Sequence, residues 1–384
     1  MNETSRAHDV KIMDQPNESL IQNNGSSKPT FIFVLNALKI SGGVLEAYRF
    51  GQELRDAGED VLVVVMWRST NEIVNADKLP IIRLTNWQTR IHLALFQLPI
   101  ILCQFWWCTR RIKYKGINPI WVFTHYSTLP LSSLTESRRR WVFLQGTEWN
   151  FVRYPLVARI FKAFVLYFYR RARLLVVSQF LANALESVGL RSTGLAQVWA
   201  DPAYYRPVNI LRDIDVVVML RKGHPKRLDL NLECLEQLGQ LAPNLRLAAI
   251  TPDSDLTDLA APLTSLCLTR PSQKEMADLY SRTKIFLLLS ETEGFGLPPL
   301  EAMGAGCVPM CRDAGGPQSY MIGPLVDLLL PLTMSMTEIC SKLIELLSDP
   351  LALERYSAAA RCVFKEGLTI ASQRSVTTRS LMLD

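Results

Sequence analysis

The chain has 384 residues, 48% of them apolar, and a formal net charge of +6. That length suits two domains of roughly 150 to 180 residues, each with its own core, and the composition excludes disordered and fibrous classes. The modest basic excess favours anionic partners such as a nucleoside diphosphate or a phospholipid surface, and nucleic acid less so.

Residues 1–29 are polar and contain no apolar run, so they read as a disordered tail and not as a signal peptide. The run 31–35 is a buried strand. A loop with Gly42 and Gly43 follows, then a helix over 44–56 and a second apolar strand over 61–66. Continuous apolar strands in a β-α-β unit indicate a parallel sheet. Residues 93–108 are apolar and aromatic, are interrupted by Pro99, and lead into Arg110, Arg111, Lys113 and Lys115. The stretch is too short for a membrane span. It reads as a buried or half-buried helix, or as a peripheral membrane contact through Phe105, Trp106 and Trp107.

Further strands fall at 120–123, ending at Thr124-His125, and at 141–144, followed by Gln145-Gly146-Thr147-Glu148. An aromatic helix over 161–169 and a strand over 174–177 come next. Ser178 caps a helix running to Glu186, which Gly189 ends. The turn-rich segment 199–207 marks a domain junction. Beyond it come a strand at 216–220, a basic loop from Arg221 to Arg227, a helix over 228–240 and a strand over 245–250. The pattern continues with a helix at 272–280, a strand at 285–289, a loop at 290–297, a helix at 298–304 and a strand at 308–311. A terminal helix pattern covers 350–364. The expected division is 1–29 tail, 30–207 first domain, 208–364 second domain, and 365–384 an extension that packs back on the first.

The eight cysteines show no repeated Cys-x-x-Cys pairing and read as buried thiols of a reducing compartment. The four histidines, His8, His92, His125 and His224, have no zinc-ligand spacing. Chemistry concentrates in residues 291–310, ETEGFGLPPLEAMGAGCVPM, between a strand and a proline-opened helix. Gly294-Phe295-Gly296 lets a ligand approach the backbone closely. Free N–H groups at the helix start attract a diphosphate or a polar sugar edge. Glu293 and Glu301, on the loop and in the first turn, can face one cleft and accept hydrogen bonds from sugar and ribose hydroxyls. They also read as a solvated loop charge and a helix-capping carboxylate.

This segment resembles the glutamate-x7-glutamate motif of the retaining glycosyltransferases of family 4, the glycosyl transferases group 1. The resemblance implies the α/β GT-B fold: two Rossmann-like domains with parallel sheets facing across a cleft. It implies that the first domain is the acceptor side and that the second binds a nucleotide sugar. Glu293 would contact the donor sugar and Glu301 the ribose. The amides of Gly294, Phe295, Gly296 and Leu297 would hold sugar and phosphate oxygens. Gly42 and Gly43 look like the family's N-terminal glycine loop, and Arg221 and Lys226 like its diphosphate-neutralising pair, although Arg227 stands where the family usually has glycine. His125 matches a histidine that contacts the sugar in some relatives. Gln145 and Glu148 are weaker acceptor-site candidates.

The implied activity moves a sugar, with retention, from a nucleotide-sugar donor to a glycan or lipid-linked acceptor. The implied setting is cell-surface polysaccharide synthesis, in the cytoplasm or on the inner face of the membrane. No cofactor and no metal are expected. Asp213-Ile214-Asp215 superficially resembles a metal-binding DxD motif, but aspartates are common at such turns. A non-hydrolysing sugar-nucleotide epimerase and a noncatalytic sugar-nucleotide or glycan-binding protein remain rival readings. Nucleic acid is not expected as a partner, because the arginines are dispersed and no nucleic-acid motif occurs.

Overall fold

The computed structural model describes residues 28–38, 42–68, 79–85, 94–152, 154–372 and 374–383. The tail expected over 1–29 therefore lies outside the described residues up to position 27, as do His8, His92 and Leu93.

The chain opens with β1 (Thr30–Ala37), α1 (Gly42–Asp56), β2 (Asp60–Trp67), β3 (Ile81–Arg83), α2 (Ala94–Tyr114) and β4 (Pro119–Phe123). It continues with α3 (Leu129–Ser132), β5 (Arg140–Leu144), α4 (Pro155–Tyr169), β6 (Arg173–Val176), α5 (Gln179–Glu186) and β7 (Gly194–Leu195). These strands form one parallel sheet in the order β3-β2-β1-β4-β5-β6-β7. A second set begins with β8 (Ile214–Met219), α6 (Leu228–Leu241), β9 (Leu247–Thr251), α7 (Asp255–Ala260), β10 (Leu266–Thr269) and α8 (Gln273–Arg282). It ends with β11 (Thr283–Leu288), α9 (Leu297–Gly304), β12 (Val308–Arg312), β13 (Leu329–Leu330), α10 (Met336–Leu347), α11 (Pro350–Ser372) and α12 (Arg374–Leu383). Its parallel sheet has the order β10-β9-β8-β11-β12-β13.

Helices cover both faces of each sheet, so the central strands carry no polar face. Phe31 to Leu35 and Val216 to Val218 are fully buried. Phe50 of α1 packs on Phe33 of β1 and Phe143 of β5, with ring centroids 5.6 and 5.5 Å apart. Each such buried ring contributes about 2–3 kcal/mol by leaving water.

Both sheets reverse their strand order beside the first strand, between β1 and β4 and between β8 and β11. Loops leaving the carboxyl ends of such paired strands splay to opposite faces and open a crevice where ligands bind. The loops concerned carry Gly42 and Gly43 after β1, His125 after β4, Arg221 to Lys226 after β8, and Glu293 after β11. The topology thus gathers residues that are scattered along the chain.

The C-terminus crosses between the two units. Helix α11 packs on α9 and β12, and α12 then reaches α1 and β7. Arg379 of α12 forms an ion pair with the buried Glu59, 2.5 Å away, just ahead of β2. Trp199, in the crossing segment, donates from its indole N–H to the Phe364 carbonyl at 3.1 Å. A Cβ at Gly367 would lie 1.8 Å from the Trp199 ring, so only glycine fits at that crossing.

Several details differ from the sequence expectation. Helix α2 runs through Pro99 and past Cys108 to Tyr114. Proline costs one hydrogen bond to the preceding turn, and the rest of this long helix tolerates that. Glu301 is the fifth residue of α9, so it lies in the second turn and not the first. The terminal helix continues eight residues past 364, to Ser372. Helices α7 and α10 and the short strands β3, β7, β10 and β13 have no counterpart in the sequence reading.

Candidate active site

The loop after β8 ends in a short 3-10 turn, His224–Lys226. The Lys226 ammonium reaches across to the loop after β11 and donates to both carboxylate oxygens of Glu293, each at 2.7 Å. Burial pushes the Glu293 carboxyl up, but the Lys226 charge and hydrogen bonds, the Ser290 side chain and the Arg221 charge together hold it below its ordinary value. Arg221 also acts on Glu301. Among the described residues Arg221 forms no salt bridge, yet its charge acts on both glutamates.

Arg227, where the resembled family has glycine, adopts the left-handed conformation with φ 47° and ψ 56°. That explains the usual glycine, since a side chain there is strained by roughly 1–2 kcal/mol. Arg227 offsets the strain locally. Its guanidinium bonds Asp229 at 2.6 to 3.1 Å, and its carbonyl accepts from the Asn231 side chain at 2.8 Å. A cleft of about 570 Å³ opens on the same two loops, lined by Gly223, His224, Arg227, Leu228, Asp229 and Glu291.

The Glu293 backbone is held by the segment 314–316, which follows β12. The Glu293 N–H donates to the Ala314 carbonyl at 2.8 Å, and the Gly316 N–H donates to the Glu293 carbonyl at 3.0 Å. A Cβ at Gly316 would sit 2.5 Å from the Phe295 backbone. Phe295 is buried against Trp199 and Tyr320. Gly296 has φ 83° and caps α9, and its carbonyl accepts from the Tyr320 hydroxyl at 2.6 Å. Pro298 and Pro299 follow Leu297 and carry no N–H. The donors at this helix start are therefore confined to the loop amides through Leu297.

Gly294 faces the first domain. A Cβ there would fall 1.9 Å from the Gln145 carbonyl oxygen, and its own carbonyl accepts from the Ser178 hydroxyl at 2.5 Å. Gln145 in turn donates from its side chain to the Gly43 carbonyl at 2.8 Å. Gly43, Gln145 and Gly294 thus form a continuous contact between the two sheets, and Phe180 of α5 packs against Gly315 beside it. A Cβ at Gly42 would meet nothing within 4 Å.

Glu301 is buried and turned towards the domain junction. Burial raises its carboxyl, while the Arg49 charge from α1, the Tyr205 hydroxyl and the Arg221 charge pull it down. The Tyr205 hydroxyl is thus a hydrogen-bond partner of the Glu301 carboxyl. Tyr205 and Arg49 were not singled out from the sequence.

His125 caps the turn after β4. Its Nδ1 accepts the Ser127 N–H at 3.2 Å and lies 2.8 Å from the Ser127 hydroxyl. That leaves the proton of the neutral ring on Nε2, which is a donor. The ring stacks on Tyr126, 4.1 Å away. Glu148 is buried and accepts from the Tyr169 hydroxyl at 2.9 Å. It therefore points into the first domain and offers no open face to an acceptor.

Burial pushes the Glu148 carboxyl up to about 7, against the bonds from the Tyr169 hydroxyl and the Tyr126 N–H. Its folded value thus lies above its unfolded one, so the protonated form favours the fold. Stability from this group is full below the unfolded value and falls as pH rises towards 7. Thermal melts at about pH 5.5 and about pH 8 should show a pH-dependent loss that Glu148→Gln reduces. An unchanged slope in that variant would mean that Glu148 is not the group responsible.

Asp213 and Asp215 are both occupied. Asp213 pairs with Arg246 and Arg282 at 2.8 and 2.6 Å, and Asp215 with Lys284 at 2.7 Å. Among the described residues no cluster of three or more His, Cys, Asp or Glu side chains could hold a metal ion.

Residues 212–363 match the sequence profile of the glycosyl transferases group 1. That match takes in every strand of the second sheet, β8 to β13. A putative glycosyltransferase 41 of the Sulfolobus islandicus filamentous virus (isolate Iceland/Hveragerdi) is 48% identical over 56 residues, 15% of this chain and 17% of that protein. An alpha-1,3/1,6-mannosyltransferase of Rhizomucor pusillus is 31% identical over 117 residues, 30% of this chain and 26% of that protein. The match thus spans less than a third of either relative. The whole fold is shared more widely. Sucrose-phosphate synthase from Thermosynechococcus elongatus superposes with a TM-score of 0.74 at 15% identity, covering 93% of this chain and 100% of that one. An Anabaena protein, HepE, solved in complex with UDP and glucose, gives 0.71 at 15% identity, covering 92% and 100%. The architecture is GT-B, with the group 1 domain as its second half.

Proposed function

We propose that this protein is a retaining glycosyltransferase, moving a sugar from a nucleotide-sugar donor to a glycan or lipid-linked acceptor. The observation that carries the reading is the meeting of Arg221, Lys226 and Glu293 at the strand-order reversal of the group 1 domain, against the loops of the first domain. Two cations beside one carboxylate suit a diphosphate joined to a polyhydroxyl ring. Arg221 supplies a planar fork and Lys226 a point charge for the diphosphate. Glu293 accepts from sugar hydroxyls, and Glu301 accepts from the ribose once Tyr205 yields. In this reading the Nε2–H of His125 is the first domain's donor to the sugar. Proteins that share this fold have been solved with UDP and glucose, or with UDP, fondaparinux and alpha-GlcNAc-glycerol, which is consistent with such partners.

In this reading the bond from the anomeric carbon to the phosphate oxygen breaks, and the acceptor oxygen bonds to that carbon on the same face. The acceptor proton passes to the departing phosphate. The developing charge falls to Arg221, Lys226 and the loop amides, held in position before the reaction. No metal enters these steps. The reading is tested by calorimetry with a panel of intact nucleotide sugars, followed by NMR of the product's anomeric configuration. An inverted product rejects retention. Conversion of the donor sugar without any acceptor favours an epimerase.

A lipid-linked acceptor is supported by the first domain's surface. Leu156, Val157, Ile160, Phe164 and Tyr167 of α4 are exposed, as are Trp106 and Trp107 of α2, and α3 touches both helices. Arg110, Arg111, Lys113, Arg159 and Arg171 belong to these two helices or lie at their ends. Among the described residues no helix is long and apolar enough to cross a membrane. Such a basic, aromatic face suits peripheral docking, on the inner face of the cell membrane in this reading. Flotation should show the protein rising with vesicles that contain anionic lipid, and Leu156→Asp with Ile160→Asp should abolish this. Equal recovery with and without lipid would remove the membrane from the proposal and leave the transferase reading standing.

A further inference from the structure

We propose that the Lys226–Glu293 pair is a latch that an intact nucleotide sugar opens and a bare nucleoside diphosphate does not, so the group 1 domain discriminates donor from spent product. The inference rests on the donor reading above.

The Glu293 main chain is anchored, because both its backbone groups are bonded to the segment 314–316. Its side chain is 13% exposed, against 27% for Lys226, so the lysine is the partner with a route towards solvent. A diphosphate that draws the ammonium away leaves Glu293 with the Ser290 side chain and the charge of Arg221. A buried carboxylate deprived of its main partner is strongly disfavoured. Sugar hydroxyls remove that penalty, since they donate to the carboxylate as the ammonium departs. Opening is therefore favourable only when phosphate and sugar arrive on one molecule.

The same arrangement acts after transfer. Once the sugar leaves on the acceptor, Glu293 loses its hydroxyl donors. The ammonium returns to it and loosens its hold on the nucleoside diphosphate, which favours product release. The bidentate contact thus links the chemical step to the exchange of product for new donor.

The test is calorimetry of UDP, GDP and their glucose or mannose conjugates on wild type, Glu293→Gln and Glu293→Ala. The alanine variant removes any residual amide contact to Lys226. In wild type the conjugate that binds should do so about tenfold more tightly than its bare diphosphate, the equivalent of one charge-assisted hydrogen bond. In both variants the bare diphosphate should gain about tenfold, because Lys226 is released to meet it. A wild type that binds the bare diphosphate as tightly as the conjugate overturns the latch even if the variants do not fold. Folded variants whose diphosphate affinity is unchanged or weaker also overturn it, and neither result touches the donor reading. Failure of wild type to bind any nucleotide or conjugate overturns both.

Discussion

A Glu293→Gln protein transfers sugar on the order of 100-fold more slowly than wild type, while still binding the nucleoside diphosphate. The substitution keeps the side chain's size but removes its charge and one of two acceptor oxygens. Sugar hydroxyls become more acidic as positive charge builds on the ring, so their bonds to a carboxylate strengthen in the transition state. The part of the interaction gained only there lowers turnover when lost, over and above any change in donor affinity. The structure supports a clean result. The bonds that place Glu293 run through its backbone to Ala314 and Gly316, and these survive the change. Lys226 keeps a route towards solvent, so its charge is not stranded. Steady-state kinetics with the identified donor and circular dichroism of the variant decide the matter. Transfer within a few-fold of wild type by a folded variant removes Glu293 from the reaction.

The longer strands and the loop that carries Glu293 were legible because each rests on local pattern. The runs 31–35 and 285–289 are apolar throughout, as strands buried on both faces must be. The Glu293 to Glu301 segment carries its own turn and helix signals. What escaped depends on contacts between residues far apart in the chain. Gln145 and Gly294 are 149 positions apart and meet only because the two sheets face each other. The pairing of Lys226 with Glu293 spans 67 positions, and that of Trp199 with Phe364 spans 165. Tyr205 beside Glu301 belongs to a junction that the sequence marks only as turn-rich. Helix α10 was missed despite a readable signal, for Ser335 and Glu338 form a capping box ahead of Ile339, Cys340 and Leu343. Glu148 was placed correctly on its loop but with the wrong outlook. Only the partner Tyr169, on a helix the chain reaches later, shows that it points inward.

A Gly294→Ala protein keeps its fold and its nucleoside diphosphate binding, yet loses on the order of 100-fold in transfer, because one added methyl forces the domains apart. Gly294 is not among the residues with positive φ, so alanine suits its backbone. All three atoms nearest to the added carbon belong to the first domain: the Gln145 carbonyl oxygen at 1.9 Å, the Gln145 carbonyl carbon at 2.7 Å and the Gly146 nitrogen at 3.2 Å. These are backbone atoms at the carboxyl end of β5 and cannot rotate aside, so relief requires the two sheets to separate. Arg221, Lys226 and Glu293 move together with the second domain and keep their mutual geometry. His125 and the Gly42–Gly43 loop stay with the first. A shift of about 1 Å between a donor and the groups meant to meet it is enough to cost that factor in rate. Small-angle scattering should report a larger radius of gyration for this variant. Gly239→Ala, on α6 with nothing within 4 Å of the new carbon, should match wild type in both rate and radius. If Gly294→Ala keeps the wild-type radius and rate, the contact with Gln145 is too soft to set the distance between the domains, and the reacting groups must be aligned by the crossing helices α11 and α12 instead.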